Sequence, residues 1–189
     1  MNASTHLMKA ILGIALAAVT LPAGSATTDS EIERETIAFY KVYLETRPSG
    51  VPHARLRAKF APLVSHTLAQ LLERAESAER HYAKVSKNQT PPLIEGDLFT
   101  SLFEGAQSFT VKGCERNTAA TVCTVELRRD DNTAGKSVTI WSDKVHLVRN
   151  GRHWVVDDIE YGGNWQFKHN GRLKELLRKV IFDGTHARP

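Results

Sequence analysis

The chain is short of the features that usually announce chemistry. It has only two cysteines, Cys114 and Cys123, so it holds no C-x-x-C redox pair and no cysteine-rich metal centre. It has no G-x-S-x-G nucleophile elbow, no H-E-x-x-H zinc helix and no phosphate loop. No long block of like charge occurs, and 25 Lys+Arg stand against 21 Asp+Glu. That near balance excludes a basic nucleic-acid arm; the small excess supports only weak attraction to an anionic surface. No apolar run reaches the roughly 20 residues that a membrane-spanning helix needs. No internal repeat or second domain is visible.

What is present begins at the N-terminus. Lys9 precedes an apolar stretch over residues 10–21, Pro22 breaks it, and Gly24-Ser25-Ala26 supplies the small residues of a cleavage site. This reads as a secretory signal peptide over residues 1–26, cleaved after Ala26, in place of an uncleaved anchor. Leu21-Pro22-Ala23-Gly24 matches the start of a lipoprotein box, but Ser25 stands where that box needs a cysteine to acylate. The expected product is a soluble periplasmic or secreted protein, with residues 27–189 forming a single α+β domain. In an oxidising compartment Cys114 and Cys123 are expected to pair. Closing that loop stabilises by about 2.5–3 kcal/mol on chain-entropy grounds.

The first half reads as helix. Ser30-x-x-Glu33 is a capping box. Ile32, Thr36, Phe39, Tyr40, Tyr43 and Leu44 follow on one helical stripe, and Pro48, Gly50 and Pro52 end it. A short helix is predicted over 53–60 and a long one over 63–85. Leu98, Phe99, Leu102 and Phe103, bracketed by Gly96-Asp97 and Glu104-Gly105, read as a helical turn plugging the core. The second half alternates. Strands are predicted over 107–112, 121–128, 137–149 and 152–161, with a turn at 130–135 and Trp165-Gln166-Phe167 resuming the last strand. Asn170 caps a closing helix with Leu173, Leu177, Val180 and Ile181 inward. The fold expected is α+β: N-terminal helices on one face of a curved antiparallel sheet of about four strands, plus a C-terminal helix. Cys114 is out of step with Phe109 and Val111 on its strand, which a bulge at Gly113 would repair.

Asn150-Gly151 predicts a two-residue hairpin turn and therefore a register. Arg149 then faces Arg152, Leu147 faces Trp154, Lys144 meets Asp157, Asp143 meets Asp158, and Trp141 meets Glu160. Like charges directly opposite destabilise a sheet. Asp143 facing Asp158 is therefore the least expected pair in the chain. With Trp141 and Glu160 it makes a candidate binding pocket, in which one raised pKa could supply a general acid or three carboxylates could hold a hard cation. The plainer reading places these acids beyond the core or against an Arg or Lys. His146 and His153 share a face but lack a third ligand at metal spacing. No catalytic residue, cofactor or metal site is assigned.

Pro91-Pro92-Leu93-Ile94-Glu95-Gly96-Asp97, Val155-Val156-Asp157-Asp158-Ile159-Glu160-Tyr161 and Gly162-Gly163-Asn164-Trp165-Gln166-Phe167 carry a resemblance. The chain resembles a family of small, uncharacterised bacterial exported proteins. That resemblance implies the cone-shaped fold of nuclear transport factor 2, also called cystatin-like, and implies no activity. Three readings of function stand. The first is a non-enzymatic periplasmic binding or interaction protein for a small molecule or envelope protein. The second is an immunity or inhibitor protein against a toxic envelope hydrolase, for which a homodimer is compatible. The third is a cone-pocket enzyme using Asp143 or Asp158, by fold analogy alone.

Overall fold

The computed structural model describes residues 24–116, 120–131, 137–166 and 168–188. The leader through residue 23, most of the 130–135 turn and Phe167 lie outside them. Helices α1 (Gly24–Thr46), α2 (Ala54–Phe60) and α3 (His66–Val85) come first. Strands β1 (Ser108–Arg116), β2 (Thr121–Asp130), β3 (Val138–Asn150) and β4 (His153–Glu160) follow, then α4 (Leu173–Thr185). The strands form one curved antiparallel sheet in the order β1-β2-β3-β4, so the fold is α+β as expected. Among the described residues no helix is long and apolar enough to cross a membrane.

The stripe read from the sequence is the buried face of α1: Ile32, Thr36, Phe39, Tyr40 and Tyr43 are all buried. It meets the inner face of the sheet, where Thr36 Oγ1 lies 3.3 Å from Cys123 Sγ and the Tyr40 and Phe109 rings are 5.3 Å apart. Phe39, Phe60 and Phe99 fill the space beside them with centroids 4.9–5.4 Å apart. Ser65 caps α3 by accepting the Leu68 N–H at 3.0 Å. Helices α3 and α4 pack together beyond β4, close enough that a side chain on Gly184 would strike the Ala78 carbonyl.

The disulfide Cys114–Cys123 is present, its cysteines directly opposed in the β1–β2 ladder. The bulge that parity required falls between Val111 and Gly113, leaving Lys112 unpaired. Four local expectations are corrected. Helix α1 begins at Gly24, so Ser30 lies inside it and not at its N-cap. Residues 98–103 form bends and a turn, not a helix; Leu98 and Phe99 are buried, but Phe103 is 48% exposed. Trp165-Gln166 does not resume a strand. The last helix is capped at Arg172, not Asn170, because the chain first turns through Gly171 at φ 71° and pairs Arg172 with Glu160.

The hairpin register is also corrected. The turn residues are Gly151 and Arg152, and Asn150 joins the ladder opposite His153. Only Gly151 takes positive φ, 61°, which a Gly-X turn needs at its first central position. Arg149 therefore faces Trp154, and its guanidinium stacks 4.7 Å over that ring. Leu147 pairs with Val156 and His146 with Asp158, so Asp157 is a bulge residue. Two outside groups fix the bulge: Ser65 Oγ donates to Asp157 Oδ1 at 2.6 Å, and Lys174 Nζ lies 2.6 Å from Asp157 Oδ2.

Candidate functional site

The register separates the four residues expected to share a pocket. Asp143 and Asp158 do not face each other, and Trp141 pairs with Leu127, not Glu160. Lys144 pairs with Glu160, not Asp157. The bulge at Asp157 shifts side-chain parity by one, so Ile159 enters the core and Asp158 leaves that face. Asp158 is 7% exposed and sits at the start of α4, accepting the Lys174 N–H at 3.0 Å. That is a helix N-terminus, where a carboxylate satisfies orphan donors and the dipole. Glu160 joins His146 (3.1 Å), Arg172 (3.0 Å) and Lys144 (3.9 Å). Burial alone pushes the Glu160 pKa up, but the His146 hydrogen bond and the charges of Lys144 and Arg172 outweigh it and hold the carboxyl below its usual range. Among the described residues no three His, Cys, Asp or Glu are arranged to hold a metal ion.

Trp141 and Asp143 do stay together, inside the core. Trp141 Nε1 donates to Asp143 Oδ2 at 3.2 Å, and the Trp165 ring meets Trp141 edge-on at 5.6 Å. Asp143 is fully buried. It also accepts the Ser101 N–H at 2.9 Å, the Gly162 N–H at 2.8 Å and the Ser101 hydroxyl. Burial raises its pKa; these donors offset only part of that, and no cation is among them. The arrangement ties the loop carrying Ser101 and the end of β4 to β3. It leaves no free carboxylate edge for a substrate.

A second buried acid escaped the sequence reading. Asp97 is 5% exposed. Its Oδ1 accepts the Phe99 and Thr100 N–H groups at 2.6 and 2.8 Å, and its Oδ2 accepts the Tyr43 hydroxyl. Tyr43 Oη accepts the Ala106 N–H at 2.7 Å, so one aspartate and one tyrosine staple both ends of the 97–106 loop to α1. Desolvation dominates and pushes the Asp97 pKa up to about 7. Burial raises Tyr43, Tyr40 and Tyr161 as well, and among the described residues the Tyr40 hydroxyl has no hydrogen-bond partner. The signal was in the sequence as Gly96-Asp97 and Glu104-Gly105. Both glycines take positive φ, and any side chain on Gly105 would collide with the Asp97 carboxylate and Tyr43.

Beside this staple a cleft of about 680 Å³ opens between the end of α1, the 93–107 loop and β2. Its size suits a small organic ligand. The nearly buried Tyr43 and Asp97 line its inner end, and Arg47, Glu95, Phe103 and Glu104 stand on its walls. Two of these break local rules. Phe103 shows half its surface to solvent, held there because Asp97 N–H donates to its carbonyl at 2.7 Å. Its ring packs on Gly96, where a Cβ would lie 2.5 Å from Phe103 Cδ2. Arg47 ends α1 at φ 41°, a left-handed position that costs a non-glycine residue about 1–2 kcal/mol. Among the described residues its guanidinium has no ion pair or hydrogen bond. Neither Trp141, Asp143, Asp158 nor Glu160 lines this cleft. Compared with protein-family models, curated proteins and solved structures, the chain finds no match.

Proposed function

We propose that the chain is an exported, non-enzymatic binding protein whose ligand occupies the cleft beside Asp97. One observation carries the reading: exposed Phe103 and unpartnered Arg47 are both displayed on the walls of a small-molecule-sized cleft, each against local preference. The interior acids support binding over chemistry. Asp143 is saturated by four donors and Asp97 by three, so each serves as a fastening. The leader-like residues 1–26 and the disulfide support a periplasmic or secreted location, and the quoted sequence resemblance agrees. Cleavage after Ala26 would remove the first residues of α1. Mature protein from a periplasmic extract should begin at Thr27; an intact Met1 on native soluble protein would reject export.

The test of binding is a thermal-shift screen of a library of polar metabolites and short peptides on the mature protein and on Phe103→Ser, which changes a half-exposed ring and should fold. The reading expects compounds that raise Tm in the wild type and lose that effect in Phe103→Ser. Stabilisation indifferent to Phe103, or none from the whole library, would refute it. An immunity or inhibitor role draws on a different observation, exposed Val138 and Ile140 on the outer face of β3. Ile140→Lys should abolish capture of a hydrolase partner under that reading and leave the cleft ligand unaffected.

A further inference from the structure

Resting on the cleft reading above, we infer that the ligand is a short peptide with free termini and an apolar side chain. The cleft carries charges of both signs, and half of them are already used. Glu79 accepts the Leu93 and Ile94 N–H groups at 3.2 and 3.1 Å. Arg129 Nη1 donates to the Glu104 and Gly105 carbonyls at 2.8 and 3.2 Å, and its Nε lies 3.7 Å from Asp131. Asp97 is closed by Tyr43 and its own loop. Subtracting these leaves one free guanidinium, Arg47, and two free carboxylates, Glu95 and Glu104, among the described residues.

That residue of charge selects a ligand class. A polyanion meets only Arg47 as a free cation, because Arg129 is turned to the Glu104 and Gly105 carbonyls, and it is repelled by Glu79, Glu95 and Glu104. A simple hydrocarbon leaves all three charges idle. A zwitterion matches: its carboxylate takes the planar fork of Arg47, and its ammonium takes Glu95 or Glu104. The exposed Phe103 ring, with Pro92 on the same cleft, supplies a surface for an uncharged side chain. A short peptide presents all three features on a chain long enough to reach across an open cleft.

The probe is a pool of tripeptides with free termini, titrated into the ¹⁵N-labelled mature protein, alongside the same pool N-acetylated and the same pool C-amidated. The free pool should shift the amides of Gly96, Gly105 and Ala106. Amidation should weaken binding by about tenfold, the loss expected for one charge-assisted hydrogen-bonded pair. Arg47→Gly suits the left-handed backbone and removes the whole exposed side chain with its guanidinium; it should bind the free and amidated pools equally. Glu95→Gln with Glu104→Gln should do the same for the free and acetylated pools. No shift with the free pool, or equal response to free and capped pools in the wild type, overturns the inference. If a metabolite still stabilises the protein through Phe103 while every peptide fails, the peptide assignment falls and the cleft reading stands.

Discussion

The two ends of the sheet treat their aspartates in opposite ways. At the α4 end, Asp157 is neutralised by Lys174 and bonded by Ser65, and Asp158 caps a helix N-terminus. At the cleft end, Asp97 and Asp143 are held by neutral N–H and O–H donors with no cation against them. The first end spends its acids on joining helices to β4. The second keeps an uncompensated acid under a cleft wall, raised to about pKa 7. Local electrostatic tension collects where the exposed Phe103 and the left-handed Arg47 also lie. That coincidence is why the cleft end, and not the acidic β4 segment, is the functional candidate.

The contrast should be visible in stability. The largest effect belongs to Asp143→Ala, which strands the Ser101, Trp141 and Gly162 donors and should cost about 3–5 kcal/mol in chemical denaturation. Asp143→Asn should also destabilise, because its amide must point at donors on one side or the other. Asp97→Asn should be far milder. Its oxygen can keep the Phe99 and Thr100 N–H groups while its amide donates to Tyr43. A loss from Asp97→Asn as large as that from Asp143→Asn would erase the distinction drawn between them.

pH sharpens the same comparison. The folded pKa of Asp97 lies above the model-peptide value of 3.8, at about 7. The folded state therefore binds the proton more tightly than the unfolded chain. Its contribution is full below about pH 4 and is lost as pH rises through 7, up to about 4 kcal/mol in all. Glu160 acts with the opposite sign, its contribution present above the ordinary carboxylate range and lost on acidification. The difference between wild type and Asp97→Asn isolates the first effect: it should favour the variant increasingly from pH 5 to 8. A constant difference would show that Asp97 is not desolvated. Next in size, replacing both cysteines by serine should lower stability by about 2–3 kcal/mol. Free thiols in the non-reduced folded protein would rule the bridge out. Smallest, Asp158→Ala should cost about 1 kcal/mol, the loss of a helix N-terminal acceptor. No loss would mean that water replaces it at α4.

How far these features were legible follows from where their causes lie. The stripe of α1, the alternation of β2 and the bulge near Gly113 are written in local spacing, and each formed. The hairpin turn moved by one residue, which shifts each cross-strand partner by two and preserves parity, so Trp154 and Val156 still face the core. The bulge at Asp157 was not readable, because its stabilising groups, Ser65 and Lys174, come from other helices. That single extra residue dissolved the Asp143–Asp158 pair. Asp97 was hidden for a similar reason. Its partner Tyr43 lies 54 residues away, and between glycine and an apolar patch it reads as an ordinary turn residue.

The most direct test of the contrast is the titration of the Asp97 side-chain carboxyl carbon by NMR in the folded protein. The account predicts a midpoint at about 7. A midpoint near 4, the ordinary range for aspartate, would mean that water or a cation reaches the carboxylate, and the distinction between the two ends of the sheet would fail.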